Sequence, residues 1–445
     1  MTRALFRLLA TLLLGCLAAS PQAWAGGRLP CPAPQVFRSA AVSVLVLPYR
    51  DARNDRQAHG SPGWRLATLV QQETLLSLLK YQSIGVTELT SEDGLCDARQ
   101  VLARVTGGDG PGQVEPGQGL VMIWGRVYQE GDDLYVQSYL RFLRKGQTES
   151  AQSSVATTGT ALRLAAELQT TALAMPPRRL TQRDLAELEA RTRQSFVLHK
   201  TPDGPVDGLL ASADEPLAYG VLKAQGDWMY VRSMITGKEG WMRARSDDGD
   251  WALRRLMPEL GYLDAVAGYL RLRTAAQKPF NGDLKRVYGW MRDLFDGYER
   301  AVGRDAAQGP AALARVLLGL AQWHIDALGP AAERRRAASS LFDEATRLAA
   351  EVPEYRNFSA VAAPYGTAGT AQLTPSLAQR LDGTLLGAVA LDARNGVALG
   401  NLERLYVALQ AQSAQAGQAG TEPAYAAPEL AQRLQIVRQG LPGAR

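Results

Sequence analysis

Gly226-Asp-Trp-Met-Tyr-Val-Arg-Ser-Met-Ile-Thr-Gly-Lys-Glu-Gly-Trp-Met242 is the stretch on which the reading of this chain turns. Two apolar-rich runs flank Thr-Gly-Lys-Glu, a short polar segment containing glycine, and that pattern predicts a β-hairpin. Alternation puts Trp228 and Tyr230 on one face of the first strand and Met229, Val231 and Ile235 on the other. Gly226 and Gly240 sit where strand entry calls for unusual backbone angles or a close approach.

The hairpin belongs to a chain of 445 residues, longer than one ordinary core, so about two to four domains are expected. Hydrophobic residues at 46% and charged residues at 21% are a globular balance rather than that of a disordered chain. Subtracting Arg3 and Arg7 of the leader from the net charge of +5 leaves +3. The excess arginine is spread along the chain, so no nucleic-acid face is expected, and Arg334-Arg335-Arg336 reads as a solvated helix face.

Arg3 and Arg7 precede an apolar run from Leu8 to Ala19, then Pro21 and Ala23-Trp-Ala25. This is the pattern of a secretory signal peptide over residues 1–25, with cleavage after Ala25 and a periplasmic destination. The run is short for a bilayer, and no later stretch approaches the length of a transmembrane helix. Leu13-Leu-Gly-Cys16 resembles a lipoprotein box, and the alternative is an outer-membrane lipoprotein anchored through an acylated Cys16. Cys31 and Cys96 then remain as an even pair in an oxidising compartment and form a candidate disulfide, the alternative being two free thiols. Bridged, they would contribute about 4 kcal/mol in the chain-entropy view. Two cysteines and three scattered histidines make no zinc site, and no metal or cofactor is expected.

Residues 26–177 read as an α/β or α+β domain. A Pro/Gly-rich arm leads to Ala41-Val-Ser-Val-Leu-Val-Leu47, a nearly continuous apolar run expected as a buried strand. Ser61-Pro62 opens a helix from about Gly63 to Lys80. Ile84-Gly-Val-Thr-Glu-Leu89 is a second strand, and Asp97 to Val105 a second helix. Leu120 to Tyr128 and Leu134 to Phe142 flank Gln-Glu-Gly-Asp-Asp as a hairpin. In its second strand Tyr135, Gln137, Tyr139 and Arg141 oppose Leu134, Val136, Ser138, Leu140 and Phe142. A helix from about Ala161 to Ala174 is expected to close the unit. On Val-Leu-Val-Leu-Pro-Tyr at 44–49 and Ile-Trp-Gly-Arg-Val at 123–127, followed by Asp-x-Leu-Tyr-Val at 132–136, this third of the chain resembles the amino-terminal domain of TolB-type envelope proteins. The resemblance implies a periplasmic protein-contact domain without catalysis.

Thr181 caps a charged helical linker over 178–194. Residues 195–256 form the small all-β unit that contains the opening hairpin, with Phe196-Val-Leu198 as first strand and Pro216 to Leu222 as a middle strand. With Gly-x-Trp, a turn and Gly-Trp, it resembles a bacterial SH3-like barrel, a family whose members often bind cell-wall glycan or peptide. Thr-Pro-Asp-Gly-Pro at 201–205 replaces the family's usual first-loop stretch. Residues 257–445 switch to an all-α pattern of helical hairpins. Small residues at the crossings, Gly319, Ala321, Ala345, Gly387, Ala390 and Gly400, resemble degenerate tetratricopeptide repeats. The stretch 352–357 is expected to end one helix, 360–375 to interrupt the repeat, and Gln410 to Pro428 to be mobile.

No catalytic constellation emerges. His59, His199 and His324 stand apart, and no Gly-x-Ser-x-Gly elbow is present. The glycine loop at 107–112 lacks the lysine of a phosphate cradle, and Asp247-Asp-Gly-Asp250 lacks the spacing of a calcium loop. Glu92-Asp93 could serve glycoside cleavage only opposite another carboxylate. The expectation is therefore a multidomain, non-catalytic envelope scaffold or adaptor that contacts other envelope proteins. Peptidoglycan binding through Trp228, Tyr230 and Trp241, with Lys238 at the turn, is the alternative, and an enzyme with an unrecognised carboxylate site is the third reading.

Overall fold

The apolar run at 41–47 lies within β1 (Val42–Asp51), where Val42, Val44 and Val46 enter the main core and Leu45 and Leu47 enter a second core on the opposite face. Burial on both faces is why the run does not alternate. The second core is closed by Val101 and Val105 of α2 (Ala98–Thr106). The main core is closed by Leu66, Leu69 and Val70 of α1 (Pro62–Ser77) and by α3 (Glu259–Thr274), which is buried along nearly its whole length. The computed structural model describes residues 36–51, 62–77, 84–89, 98–108, 112–131, 133–157, 161–169, 172–186, 197–210, 218–225, 228–243, 256–274, 283–366, 372–419 and 425–441. The leader, Cys16, Cys31, Cys96, His59, Glu92, Asp93, Gly226 and residues 247–250 lie outside them.

The protein is multidomain, with a large mixed sheet in its N-terminal region and a helical C-terminal region. β1 pairs in parallel with β2 (Ile84–Glu88) on one side and β3 (Gly119–Glu130) on the other. β3 continues into β4 (Asp133–Arg144) as the expected antiparallel hairpin, with Glu130 opposite Asp133. β4 then carries both β7 (Leu173–Ala174) and β8 (Arg178–Thr181) on its far side. Beyond β2 the sheet goes on through β11 (Ala218–Gln225), β12 (Trp228–Ser233), β13 (Glu239–Arg243), β9 (Val197–His199) and β10 (Val206–Leu209).

The join between β2 and β11 was not visible in the sequence. Ala218 faces Thr87 and Gly220 faces Gly85 in an antiparallel pair, so one sheet runs from the first 177 residues into the hairpin unit. Phe37 lies across the two facing glycines. A Cβ on Gly85 would come within 2.6 Å of Phe37 Cβ, and one on Gly220 within 2.7 Å of its ring. Among the described residues the path is open, ending at β10, and no closed barrel forms.

The helix expected over 161–174 is instead β6 (Leu162–Leu168) followed by β7. Leu-Arg-Leu-Ala-Ala-Glu-Leu suits either period, and tertiary context decides. Leu162, Leu164, Ala166 and Leu168 are buried while Arg163 and Glu167 are exposed, as pairing with β5 (Glu149–Val155) requires. The resulting two-stranded hairpin is set into the helical region. The Asn401 side chain, fully buried, accepts from Ala165 N at 3.0 Å and donates to Ala165 O at 2.6 Å, so its amide acts as one more strand residue along β6. Leu373 N donates to Ala156 O at 3.0 Å beside it.

The helical region comprises α4 (Leu284–Val302), α5 (Gln308–His324), α6 (Ala331–Leu348), α7 (Pro353–Ala362), α8 (Pro375–Leu391), α9 (Gly396–Ala419) and α10 (Ala427–Gly440). Gly319 brings α5 against α6: a Cβ there would lie 2.5 Å from the Phe342 ring. Two expectations are corrected. Residues 352–357 begin α7 rather than end α6, because Pro353 occupies the first turn, where its missing N–H costs nothing. The stretch from Gln410 also remains helical to Ala419, with Leu409 buried and Gln412 Nε2 donating to Leu373 O at 3.1 Å. Its alanine and glutamine content favours helix. Among the described residues no helix is long and apolar enough to cross a membrane.

Candidate functional site

The hairpin brings the three aromatic candidates onto one face. Tyr230 lies opposite Trp241 across β12–β13, with ring centroids 5.4 Å apart and an interplanar angle of 63°. Trp228 is met edge-on by His199 at 4.9 Å. The other face of the same strands sends Met229, Val231 and Met242 into the main core. Gly240 is a close approach, since a Cβ there would lie 2.9 Å from Leu198 Cβ. Gly237, in the turn, has φ +70, a conformation suited to glycine.

Trp228 and Trp241 are each only 8% exposed, so the indoles are the floor of this face rather than its open surface. Tyr230 is half-buried, and its hydroxyl donates to Glu239 Oε2 at 2.8 Å. That bond to a carboxylate is the chief reason the phenol is pushed up in pKa, and together with the Arg232 hydrogen bond it holds Glu239 below its ordinary value. The expected cation, Lys238, is exposed in the turn, where its backbone N–H donates to Thr236 Oγ1 at 3.3 Å. The cation over the rings is Lys223, 4.8 Å from the Tyr230 centroid and 5.0 Å from that of Trp241. Lys223 faces Tyr230 because the β11–β12 register shifts between Val221 and Lys223; unbroken alternation would have put it on the core face with Tyr219 and Val221, so sequence pattern alone carried no signal for it. The face thus offers a cation, a phenol and an acid–arginine pair around an aromatic floor, suited to polar groups that stack and hydrogen-bond.

Two further clusters lie where β4 meets α3. The buried face of β4 is apolar except at Ser138 and Arg144. Those residues are six apart, about 20 Å along a strand, and Glu259 and Arg273 are fourteen apart, about 21 Å along a helix. The matched lengths let one helix engage both. At one end Ser138 Oγ donates to Glu259 Oε1 at 3.1 Å and is 2.8 Å from the Tyr49 hydroxyl. Burial pushes the Glu259 carboxyl up and, with the nearby Glu259, pushes Tyr49 up as well. Ser138 and Glu259 are 1% and 2% exposed, so this hydroxyl–carboxylate pair is out of a substrate's reach in this conformation. At the other end Glu149 accepts from Arg144, from Tyr269 and, at 3.0 Å, from Arg273 Nε. His324 is exposed and its Nε2 bonds the Ser150 carbonyl oxygen at 2.6 Å. Sequence reasoning missed both clusters, although two polar residues in the otherwise apolar face of β4 were the available signal.

A raised folded-state pKa at Glu259 means its favourable contribution is complete below the ordinary carboxylate value and is lost as pH rises through the folded value. Glu259→Gln, which keeps the shape and removes the titration, is therefore expected to flatten the loss of stability between pH 5 and pH 8. Urea denaturation at the two pH values checks this, and a variant with the wild-type slope would refute it.

Among the described residues no group of three histidine, cysteine, aspartate or glutamate side chains could hold a metal ion. Compared with known proteins, this chain matches no protein-family model, no curated protein and no solved structure.

Proposed function

We propose that the chain is a non-catalytic scaffold or adaptor of the bacterial envelope, working in the periplasm through protein–protein contacts. The observation that carries this reading is the β2–β11 pairing under Phe37, which fastens the aromatic face to the same sheet that α3 ties to the helical array. Contact surfaces held at fixed spacing are what a scaffold needs. The β11–β12–β13 meander, with β9 between β13 and β10, supports an SH3-like origin for the hairpin unit. Helices paired through Gly319 support a tetratricopeptide-like one for the array. The periplasmic setting rests on the leader read at 1–25.

A pull-down from envelope extracts is expected to recover a protein partner that survives moderate salt and is lost on Lys223→Glu, a change at an exposed residue. Recovery of no protein at any salt concentration would count against the proposal. Co-sedimentation with purified sacculi, abolished by the same substitution, would instead favour peptidoglycan binding through Tyr230 and Lys223 over the indole floor.

A further inference from the structure

A cavity of about 240 Å³ opens between the end of β6, β7 and the starts of α5 and α7. It has the room of roughly eight waters at about 30 Å³ each, which suits a fragment-sized ligand rather than a drug-sized one. Its walls include Phe142, Leu168, Leu173, Leu313 and Val352. Gly309 forms part of the lining, and a Cβ built there meets nothing within 4 Å.

Among the described residues the polar side chains of the lining are Gln169, Glu351, Glu354 and Tyr355, with no lysine, arginine or histidine. Glu351 is exposed and Glu354 half-buried, and neither has an ion-pair partner among the described residues. Tyr355 is only 8% exposed as a residue, while its hydroxyl oxygen, without a hydrogen-bond partner among those residues, is not itself fully buried and stands open at the cavity. Burial, followed by the charges of Glu354 and Glu351, pushes that hydroxyl up in pKa, so both carboxylates act on the same spot. Glu354 alone would be explained as an acid in the first turn of α7. Glu351, which precedes the helix, and the unpartnered phenol are not explained that way. The two helix N-termini here bring about half a positive charge each, less than two full carboxylate charges, and Arg356, which donates to the Ala350 carbonyl oxygen at 3.1 Å, is not part of the lining.

We propose that this cavity binds a small organic cation, a primary alkylammonium whose hydrocarbon body of about eight carbons lies among the apolar walls. Its ammonium donates to Glu351, Glu354 and the Tyr355 oxygen. Octylammonium, 1-octanol and octanoate are the probes, titrated calorimetrically against the full chain below their aggregation concentrations. Octylammonium is expected to bind with a Kd of about 0.1–1 mM, about fivefold more tightly than octanol, and to weaken with added salt. Octanoate is expected not to bind. Glu351→Gln with Glu354→Gln should erase the preference for octylammonium and leave octanol unchanged. Gly309→Leu should fill the cavity and abolish binding, with a melting temperature at or above wild type because a helix glycine is replaced. Equal affinity for the three probes, binding that persists in folded Gly309→Leu, or no octylammonium binding at about 10 mM would each overturn the proposal. The two surface glutamine substitutions test the charge requirement without depending on how the cavity variant folds.

Discussion

Gly125→Ala is expected to destabilise the protein by about 3 kcal/mol, at the upper end of what overpacking costs. The new Cβ would lie 1.9 Å from Cε1 and 2.1 Å from Cδ1 of Tyr49, and 2.7 Å from the Gln137 carbonyl oxygen. Tyr49 is fully buried and held by Ser138 at its hydroxyl, so the ring has nowhere to turn. The measurement is the shift of the urea midpoint at unchanged slope. A second variant identifies the cause: Tyr49→Leu removes the ring, and in that background Gly125→Ala should cost far less, giving a large coupling energy in the double-mutant cycle. Additive effects would mean that the ring is not what the glycine accommodates. Tyr49 and Gly125 are also direct partners in the β1–β3 register, just past the irregularity between Val46 and Tyr49. Two of the stretches on which the TolB-type resemblance rests, 44–49 and 123–127, therefore run side by side, paired at Val46–Ile123 and at Tyr49–Gly125.

Glu149→Gln is expected to cost about 3–5 kcal/mol, the range for breaking a buried ion pair by removing one partner. The Arg144 side chain is 5% exposed and that of Arg273 12%, so the loss of the carboxylate leaves two guanidinium groups short of a counter-charge. Burial raises the Glu149 pKa, but the charges of Arg273 and Arg144 and the hydrogen bonds from Arg144 and Tyr269 outweigh it and hold the carboxyl below its ordinary value. With a depressed folded value the stabilisation is complete above the ordinary carboxylate range and is lost as pH falls through the folded value. Wild type should thus lose stability on acidification below about pH 4.5 more steeply than Glu149→Gln. Thermal unfolding followed at pH 7 and at pH 3.5 reads both effects. A gap between the proteins that stays constant over that interval would show that Glu149 contributes shape rather than charge.

How much of this was legible depended on how far each partner lies along the chain. The β3–β4 hairpin and the alternation in β4 were readable because a period of two and a glycine turn are local signals. The pairing of β2 with β11 was not, since it joins residues near 85 to residues near 220 and depends on a phenylalanine at 37 that gives no strand signal. The segment at 162–168 carries apolar residues at both periods, and only a partner strand and the buried amide of Asn401 settle its form. At the aromatic face, alternation along one strand placed Trp228 and Tyr230 together. The cation was assigned by nearness in sequence to the turn and fell on Lys238, whereas cross-strand register selects Lys223.

The amide clasp on β6 also sets a timetable. Asn401 lies 236 residues after Ala165, and a chain grows from its N-terminus at roughly 5–20 residues per second. For on the order of ten to fifty seconds the β5–β6 hairpin is complete while the helix that carries Asn401 has not been made. During that interval the apolar row of Leu162, Leu164, Ala166 and Leu168 and the free edge of β6 stay open to other chains. In the finished protein the row is buried and Asn401 occupies the backbone groups of Ala165. The nascent one depends on something else to guard it, so the yield of folded chain should respond to synthesis rate and holdase supply more than to the stability of the end state.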